Sequence, residues 1–167
     1  TYYQAAGKDP MNREVYVTAS NGKTQCLTAR QGWNTGTFSK NYKYFVNVWS
    51  DMNTPFEYST YSSNGKKIAV VNDNKEVKDK LAAYDMAGKE FFKFKTSEGV
   101  ELNGIMVKPH NFDPNKKYPV IMWQYSGPGS QQVTNAWNVG SMGQACLYDG
   151  YLADRGFILV CVDGRGT

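Results

Sequence analysis

A four-residue sequence that occurs twice is the strongest constraint on how this 167-residue chain can fold. Ser20-Asn21-Gly22-Lys23 recurs 43 residues later as Ser63-Asn64-Gly65-Lys66. In each copy the Asn-Gly pair predicts a β-hairpin with a two-residue type I′ turn, in which both turn residues adopt positive φ. The neighbouring positions keep the same offset in three further pairs: Tyr2 with Phe45, Glu14 with Glu57, and Leu27 with Val70.

Residues 1–73 are predicted to consist of strands and turns. Six segments rich in Tyr, Val, Thr or Phe are separated by turn residues: Tyr2–Ala5, Glu14–Ala19, Thr24–Thr28, Tyr44–Trp49, Phe56–Tyr61 and Lys67–Val71. A period of about 40–45 residues with four strands per unit is typical of β-propeller blades. Two unrelated hairpins that share a turn sequence are the alternative, but they would not keep the flanking strands in phase. Since propellers have about four to eight blades, we expect further blades upstream and interpret residues 1–73 as the C-terminal ones.

After residue 73 the pattern changes from strands to a short helix. Val77, Leu81 and Tyr84 recur at the spacing of one helical face, and the preceding Asn72-Asp73-Asn74 offers N-capping residues. We interpret residues 74–89 as a connector helix and linker between two domains.

Residues 90–167 have the pattern of an α/β domain. Two predicted strands flank the turn Ser97-Glu98-Gly99, and a strand, a helix capped by Gly156 and a nearly continuous apolar strand follow. In chain order these elements are Glu90–Lys95, Glu101–Lys108, Tyr118–Tyr125, roughly Gly143 to Arg155, and Phe157–Val162. The last three form a βαβ unit. The predicted fold class is therefore β plus α/β.

Composition and charge argue against several classes of protein. The net charge is only +4 and Lys and Arg are scattered through polar turns, which argues against nucleic-acid binding. The longest apolar run, Phe157–Val162, has six residues, whereas a membrane-spanning helix needs about 20. Cys26, Cys146 and Cys161 show no metal-binding spacing and are predicted to be buried thiols. We expect no metal or other cofactor, and we place His110 in a surface loop.

Tyr125 is the candidate catalytic residue, because it lies at the carboxyl end of a predicted strand. Ligands of open α/β sheets bind beyond the carboxyl ends of strands, and a neutral Tyr hydroxyl can donate a hydrogen bond to an oxyanion. The following Gly127-Pro128-Gly129 can keep bulk away from a ligand. A strand-end aromatic residue that only packs beneath a turn is the alternative, and Tyr125 in isolation fits it better.

Two segments resemble motifs of the prolyl oligopeptidase family of serine peptidases. Tyr125-Ser126-Gly127-Pro128-Gly129-Ser130-Gln131, together with the preceding Lys117–Ile121, is similar to the family's Tyr-x-Gly-Pro-x-x-Gln segment. Val162-Asp163-Gly164-Arg165-Gly166-Thr167 is similar to its Asp-Gly-Arg-Gly-Ser/Thr stretch. The similarity covers essentially the whole chain, and its detail, including Cys26-Leu27 and Phe38-Ser39-Lys40, is closest to the dipeptidyl peptidase IV branch.

The resemblance implies an N-terminal β-propeller followed by an α/β-hydrolase domain. Residues 90–167 would then be the N-terminal part of the hydrolase domain, and the chain would be a truncated fragment. Tyr125 corresponds to the family's oxyanion-hole tyrosine, whereas we interpret Asp163 and Arg165 as loop scaffold. The family's catalytic Ser, Asp and His, and the Glu pair that binds the substrate amine, have no counterpart in this chain. His110 does not qualify as the catalytic histidine, which in this family follows the Ser and the Asp.

The parent protein is accordingly expected to release X-Pro or X-Ala dipeptides from peptide substrates outside the cytoplasm, while the fragment itself is expected to be inactive. Prolyl endopeptidase or acylaminoacyl-peptidase activity within the same family is one alternative. A non-catalytic propeller–hydrolase homologue that serves as a binding module is another. Because a fragment leaves strand edges unpaired, we also expect it to self-associate.

Overall fold

The computed structural model describes residues 1–125, 127–137 and 147–167, and this part of the chain is mostly β-sheet with few helices. It divides into two compact units. Unit 1 comprises Thr1–Lys80 and Thr134–Trp137, and unit 2 comprises Leu81–Val133 and Asn138–Thr167. Neither helix in the described ranges has the length and apolar character to cross a membrane.

Unit 1 contains two antiparallel sheets whose strands follow chain order. The first has three strands: β1 (Tyr2–Ala5), β2 (Glu14–Thr18) and β3 (Thr24–Cys26). The second has four: β4 (Trp33–Phe38), β5 (Tyr44–Asp51), β6 (Thr54–Ser62) and β7 (Lys67–Asn72). The sequence predicted all of these strands except β4. With the 43-residue offset, β1, β2 and β3 correspond to β5, β6 and β7 in order and in antiparallel pairing.

Strand β4 was not predicted because Gly36 interrupts its pattern of large residues. A Cβ atom at Gly36 would lie 3.1 Å from Cγ2 of Val15 and 3.4 Å from Cδ2 of Phe45. A glycine inside a strand often marks such a close approach of another element. Val15 and Phe45 belong to the core of unit 1 together with Leu27, and all three side chains are almost completely buried.

Both repeated turns form hairpins, as the sequence predicts, but the turn type differs. In the first, Gly22 donates to the carbonyl of Ala19 and has φ of 81°, while Asn21 is not in the positive-φ region. The second hairpin repeats this geometry, with Gly65 at φ of 88°. These are three-residue loops that end in a left-handed glycine. The predicted two-residue type I′ turns are therefore wrong: only the glycine needs positive φ, and the Asn21 side chain accepts from the Lys23 N–H at 3.0 Å.

Thr134–Trp137 belongs to unit 1 through contacts that join residues distant in sequence. Asn135 donates from its backbone to the carbonyl of Met11 at 2.8 Å and from its side chain to Oδ1 of Asn12 at 2.8 Å. Its own Oδ1 accepts from the Met52 N–H at 3.1 Å. No local sequence pattern indicates this grouping, because it depends on tertiary contacts.

Helix α1 (Lys75–Ala83) begins where the capping residues predict. Asp73 accepts a hydrogen bond from the Lys75 N–H at 3.1 Å, and the carbonyl of Asn74 accepts from Lys78 at 3.0 Å. The predicted apolar face is not buried: α1 has no buried residue, and Val77 is 42% exposed.

Unit 2 contains a mixed sheet in the order β10-β11-β9-β8. Its elements are β8 (Lys89–Lys95), β9 (Glu101–Val107), β10 (Val120–Trp123), α2 (Leu147–Ala153) and β11 (Ile158–Val162). The predicted hairpin of β8 and β9 is confirmed, and β11 pairs parallel with β10 and antiparallel with β9. The core of unit 2 includes a cluster of four buried residues: Ala87, Val107, Ala153 and Leu159.

The end of α2 confirms the predicted glycine cap. Gly156 has φ of 84° and donates to the carbonyl of Ala153 at 2.9 Å, while Phe157 donates to the carbonyl of Leu152 at 3.2 Å. This pair of hydrogen bonds is the Schellman motif. The predicted helix begins at Gly143, but residues 143–146 lie outside the described ranges.

Candidate functional site

Tyr125 lies just beyond the carboxyl end of β10, at the edge of the sheet where we expected a ligand to bind. Trp123 of β10 pairs with Cys161 of β11, and the two strands run parallel. Tyr125 and Asp163 each follow their strand's member of this pair by two residues. The two segments therefore leave the sheet at the same edge. Tyr125 is 66% exposed, so the described residues do not bury its side chain beneath a turn.

The loop after Tyr125 is held by hydrogen bonds between its own residues. Ser130 donates from its backbone to the carbonyl of Gly127 at 3.1 Å, and its hydroxyl contacts the same carbonyl and the carbonyl of Tyr125, the latter at 3.3 Å. Gly129 has φ of 70°, a conformation that glycine adopts without steric cost. The loop therefore has a defined turn directly after the strand.

Asp163 connects this loop to the end of β11. Its Oδ1 accepts from the Gln132 N–H at 2.8 Å, and its Oδ2 accepts from the Val133 N–H at 3.0 Å. The backbone N–H of Asp163 donates to the carbonyl of Asn103 at 3.1 Å. Sequence reasoning recognised Asp163 only as loop scaffold, since hydrogen bonds across 30 residues have no local sequence signal.

The segment after Asp163 adds weaker links to the same edge. Gly129 donates to the carbonyl of Gly166 at 3.4 Å, and the Thr167 hydroxyl donates to the carbonyl of Gly164 at 2.9 Å. Arg165 forms an ion pair with Glu98, whose side chain is exposed in the β8–β9 turn. These contacts stabilise the loop.

Among the described residues, Cys26, Cys161 and His110 do not form a second site. Cys161 is buried, as predicted. Its burial and, to a smaller extent, the nearby carboxylates of Asp163 and Asp149 raise the pKa of its thiol to about 12. A thiol with such a pKa is a poor nucleophile at neutral pH. Cys26 is exposed, contrary to the prediction, because β3 is an edge strand whose three residues are all exposed; Cys146 lies outside the described ranges. His110 is half-exposed, with its Nε2 4.0 Å from Oδ1 of Asp154.

The chemistry of the candidate site is therefore that of a hydrogen-bond donor. In the described ranges, no three His, Cys, Asp or Glu side chains lie close enough together to hold a metal ion. What the edge of the sheet offers is an exposed phenol on a loop that two backbone-to-carboxylate hydrogen bonds attach to the sheet. Such a donor can bind a negatively charged or strongly polarised oxygen.

Comparison with known proteins places the chain beside dipeptidyl peptidases. Residues 1–56 match the family model described as the dipeptidyl peptidase IV (DPP IV) N-terminal region. A protein of Podospora anserina named "Probable dipeptidyl-aminopeptidase B" is 34% identical over 99% of this chain and 18% of its own length. Dipeptidyl peptidase 4 of Trichophyton equinum is 30% identical over 99% of this chain and 22% of its own length.

The structural comparison agrees with the sequence comparison. The crystal structure of Porphyromonas gingivalis dipeptidyl peptidase 4 matches with a TM-score of 0.90 and 40% identity, over 99% of this chain and 23% of that one. The chain thus spans about a fifth of the length of the relatives that it matches. Over almost all of its own length, the chain is similar to dipeptidyl peptidases, as its two motifs indicated.

Proposed function

We propose that the full-length protein to which this chain corresponds is a serine-type dipeptidyl peptidase that releases X-Pro or X-Ala dipeptides from peptide N-termini by acyl transfer. The observation that carries the proposal is the 40% identity and TM-score of 0.90 with a dipeptidyl peptidase 4 over 99% of the chain. Prolyl endopeptidases and acylaminoacyl-peptidases share the family resemblance, but the relatives reported above are all named as dipeptidyl peptidases or dipeptidyl-aminopeptidases.

The proposal includes the domain organisation. In it, residues 1–73 are the C-terminal blades of a β-propeller, 74–89 are the connector, and 90–167 are the N-terminal part of an α/β-hydrolase domain. The repeated antiparallel sheets of unit 1 support the blades, since β5–β7 repeat β1–β3 at a fixed offset. The parallel pair β10 and β11, with α2 between them in the chain, supports the hydrolase domain.

In this proposal Tyr125 donates a hydrogen bond to the oxyanion of the tetrahedral intermediate. A serine hydroxyl supplied by another part of the full-length protein attacks the scissile carbonyl and transfers its proton to a base. The carbonyl π electrons move to oxygen, and Tyr125 and a backbone N–H stabilise that charge. The intermediate then collapses, the base returns its proton to the amine nitrogen as the C–N bond breaks, and water hydrolyses the resulting acyl-enzyme to release the dipeptide. The exposure of Tyr125 beyond the carboxyl end of β10 supports this role.

The isolated chain is proposed to be inactive, because the family's Ser, Asp and His have no counterpart in it. The full-length protein is proposed to act on peptides outside the cytoplasm.

The test is a peptidase assay with Gly-Pro-p-nitroanilide. The full-length protein should release p-nitroaniline, and a substrate with an acetylated N-terminus should not be cleaved at that Pro. Cleavage of the acetylated substrate would replace dipeptidyl peptidase by endopeptidase or acylaminoacyl-peptidase activity, and no cleavage of either would favour a binding homologue. Turnover by the isolated 167-residue chain that persists after repurification would contradict its proposed inactivity.

A further inference from the structure

Asp163 does more than complete a turn after β11, because its partners lie 30 residues away in the loop that begins at Tyr125. Both carboxylate oxygens accept, one from Gln132 at 2.8 Å and the other from Val133 at 3.0 Å. Hydrogen bonds from backbone N–H groups to a carboxylate are stronger than those to neutral acceptors. A single side chain thus holds two consecutive backbone groups of the loop.

The burial of Val133 makes these hydrogen bonds consequential. Val133 has no solvent exposure, so its backbone N–H has no ready alternative partner in water. A buried N–H that loses its acceptor is left with the full cost of its desolvation. The loop therefore either keeps its hydrogen bonds to Asp163 or rearranges as a whole.

The opposite end of the loop is fixed by β10. Tyr125 follows that strand by two residues, and its carbonyl accepts from the Ser130 hydroxyl at 3.3 Å. Asp163 itself is attached to the sheet by its backbone N–H, which donates to Asn103 of β9 at 3.1 Å. Both ends of the loop are thus tied to the same sheet, one by the chain and one by a carboxylate.

We propose that Asp163 is a positioning residue for catalysis: by binding the backbone of Gln132 and Val133, it holds the loop in the conformation that directs the Tyr125 hydroxyl to the oxyanion. This inference rests on the function proposed above. Displacements of about 1 Å at a catalytic group can lower the rate about 100-fold. Loss of the two hydrogen bonds should therefore lower kcat far more than it changes KM.

The test uses the full-length protein with Asp163→Asn, which keeps the size of the side chain but places an amide NH2 against one of the two N–H donors. We expect kcat to fall about 10–100-fold with KM within about threefold of wild type. Hydrogen-exchange mass spectrometry should show faster exchange in peptides that contain Gln132 and Val133. Asp113→Asn is the matched control, since Asp113 also accepts a backbone N–H, from Asn115 in a turn of the same unit. It should change neither kcat nor exchange at the loop.

A double-mutant cycle with Tyr125→Phe separates positioning from a general structural effect. If Asp163 acts through Tyr125, then Asp163→Asn lowers kcat much less in the Tyr125→Phe protein than in wild type. If the two effects multiply instead, Asp163 does not act through Tyr125 and the inference is overturned. Unchanged exchange at Gln132 and Val133 in Asp163→Asn also overturns it, whatever the activity.

The failure of this inference and that of the proposed function give different results. If kcat falls in Tyr125→Phe but stays at the wild-type value in Asp163→Asn, the oxyanion role of Tyr125 is retained and the positioning role of Asp163 is rejected. Wild-type kcat in Tyr125→Phe rejects the oxyanion role itself, and with it the positioning role. Where Asp163→Asn does not fold, Asp163→Glu moves both oxygens one methylene further out, and faster exchange at Gln132 and Val133 with wild-type kcat in that variant would reject the inference.

Discussion

Tyr125 combines a position at the ligand-binding edge of a sheet with a side chain that is 66% exposed. Replacing it with Phe should therefore change the free energy of unfolding by less than about 1 kcal/mol, since no buried hydrogen bond is lost. In the full-length enzyme, kcat should fall roughly 10²–10³-fold, because one oxyanion donor is removed. KM should change much less, since the ground-state carbonyl uses that donor weakly.

Tyr118→Phe provides the control for steady-state kinetics on Tyr125→Phe. The Tyr118 hydroxyl accepts from the Asp113 N–H at 2.8 Å in a turn before β10, so its loss affects a turn and not the sheet edge. Tyr118→Phe should keep wild-type kcat. A kcat for Tyr125→Phe within threefold of wild type, with the melting temperature unchanged, would mean that Tyr125 takes no part in the reaction.

Glu57 is the residue whose ionisation should matter most for the stability of unit 1. Its burial alone would raise its pKa, but hydrogen bonds from Lys67, Ser59 and Arg30 outweigh burial and lower the pKa from 4.5 to about 2. Lys67 Nζ lies 2.7 Å from one carboxylate oxygen, and Arg30 lies 3.1 Å from the other. Because the folded-state pKa is depressed, the stabilisation is present above about pH 4.5 and is lost as the pH falls towards 2.

We expect the wild-type chain to lose up to about 3 kcal/mol more stability than Glu57→Gln between pH 6 and pH 2.5. Urea denaturation at a series of pH values measures this difference. Glu101→Gln is the control, because Glu101 also pairs with a lysine, Lys93, but both side chains of this pair are exposed. Parallel pH profiles for wild type and Glu57→Gln would show that the three hydrogen bonds do not favour the ionised carboxylate.

At the level of secondary-structure elements, the two repeated turns offer a matched pair of substitutions. Gly22 and Gly65 have similar positive φ values, 81° and 88°. A Cβ atom at Gly22 would contact nothing within 4 Å, whereas one at Gly65 would lie 3.0 Å from the carbonyl oxygen of Leu27 and 3.1 Å from its Cα. Glycine is therefore required at position 22 for its positive φ alone. At position 65 it is required both for its positive φ and for the close approach of Leu27.

Gly22→Ala should destabilise the chain by about 1–2 kcal/mol, the cost of a left-handed conformation for a residue with a Cβ. Gly65→Ala should cost at least about 1 kcal/mol more, because the backbone of Leu27 must also move. Urea denaturation of the two variants side by side measures the difference. Equal losses would show that the approach of Leu27 to Gly65 adds nothing to the requirement for glycine.

Sequence reasoning predicted elements well where the signal is local. The Asn-Gly hairpins, the capped start of α1 and the glycine that ends α2 depend on residues within one turn of each other, and all three were predicted. Strand β4 was missed because Gly36 is explained by side chains of other strands, Val15 and Phe45. The same limit applies to the candidate site. The position of Tyr125 follows from a strand end, whereas the hydrogen bonds of Asp163 depend on the pairing of β10 with β11.

At the scale of the whole chain, the most distinctive surface is strand β7. Among the described strands it pairs with β6 alone, and all six of its residues are exposed. Three of them are large and apolar: Ile68 at 54%, Val70 at 50% and Val71 at 65% exposed. The corresponding strand of the repeat, β3, is followed by Leu27, which is only 4% exposed because the second sheet covers it. Nothing in the described ranges covers Val70, the counterpart of Leu27 in β7, in the same way.

We expect the isolated chain to associate through β7, because an exposed apolar edge strand can pair with a strand of a second molecule. Light scattering coupled to gel filtration should give a mass above 18.8 kDa that rises with concentration. Val71→Lys should shift the chain towards monomer, because a charged side chain on an edge strand opposes pairing. Ser97→Lys, which adds the same charge to the exposed β8–β9 turn, should leave association unchanged. A monomer at all concentrations, or equal effects of the two lysine substitutions, would show that β7 does not mediate association.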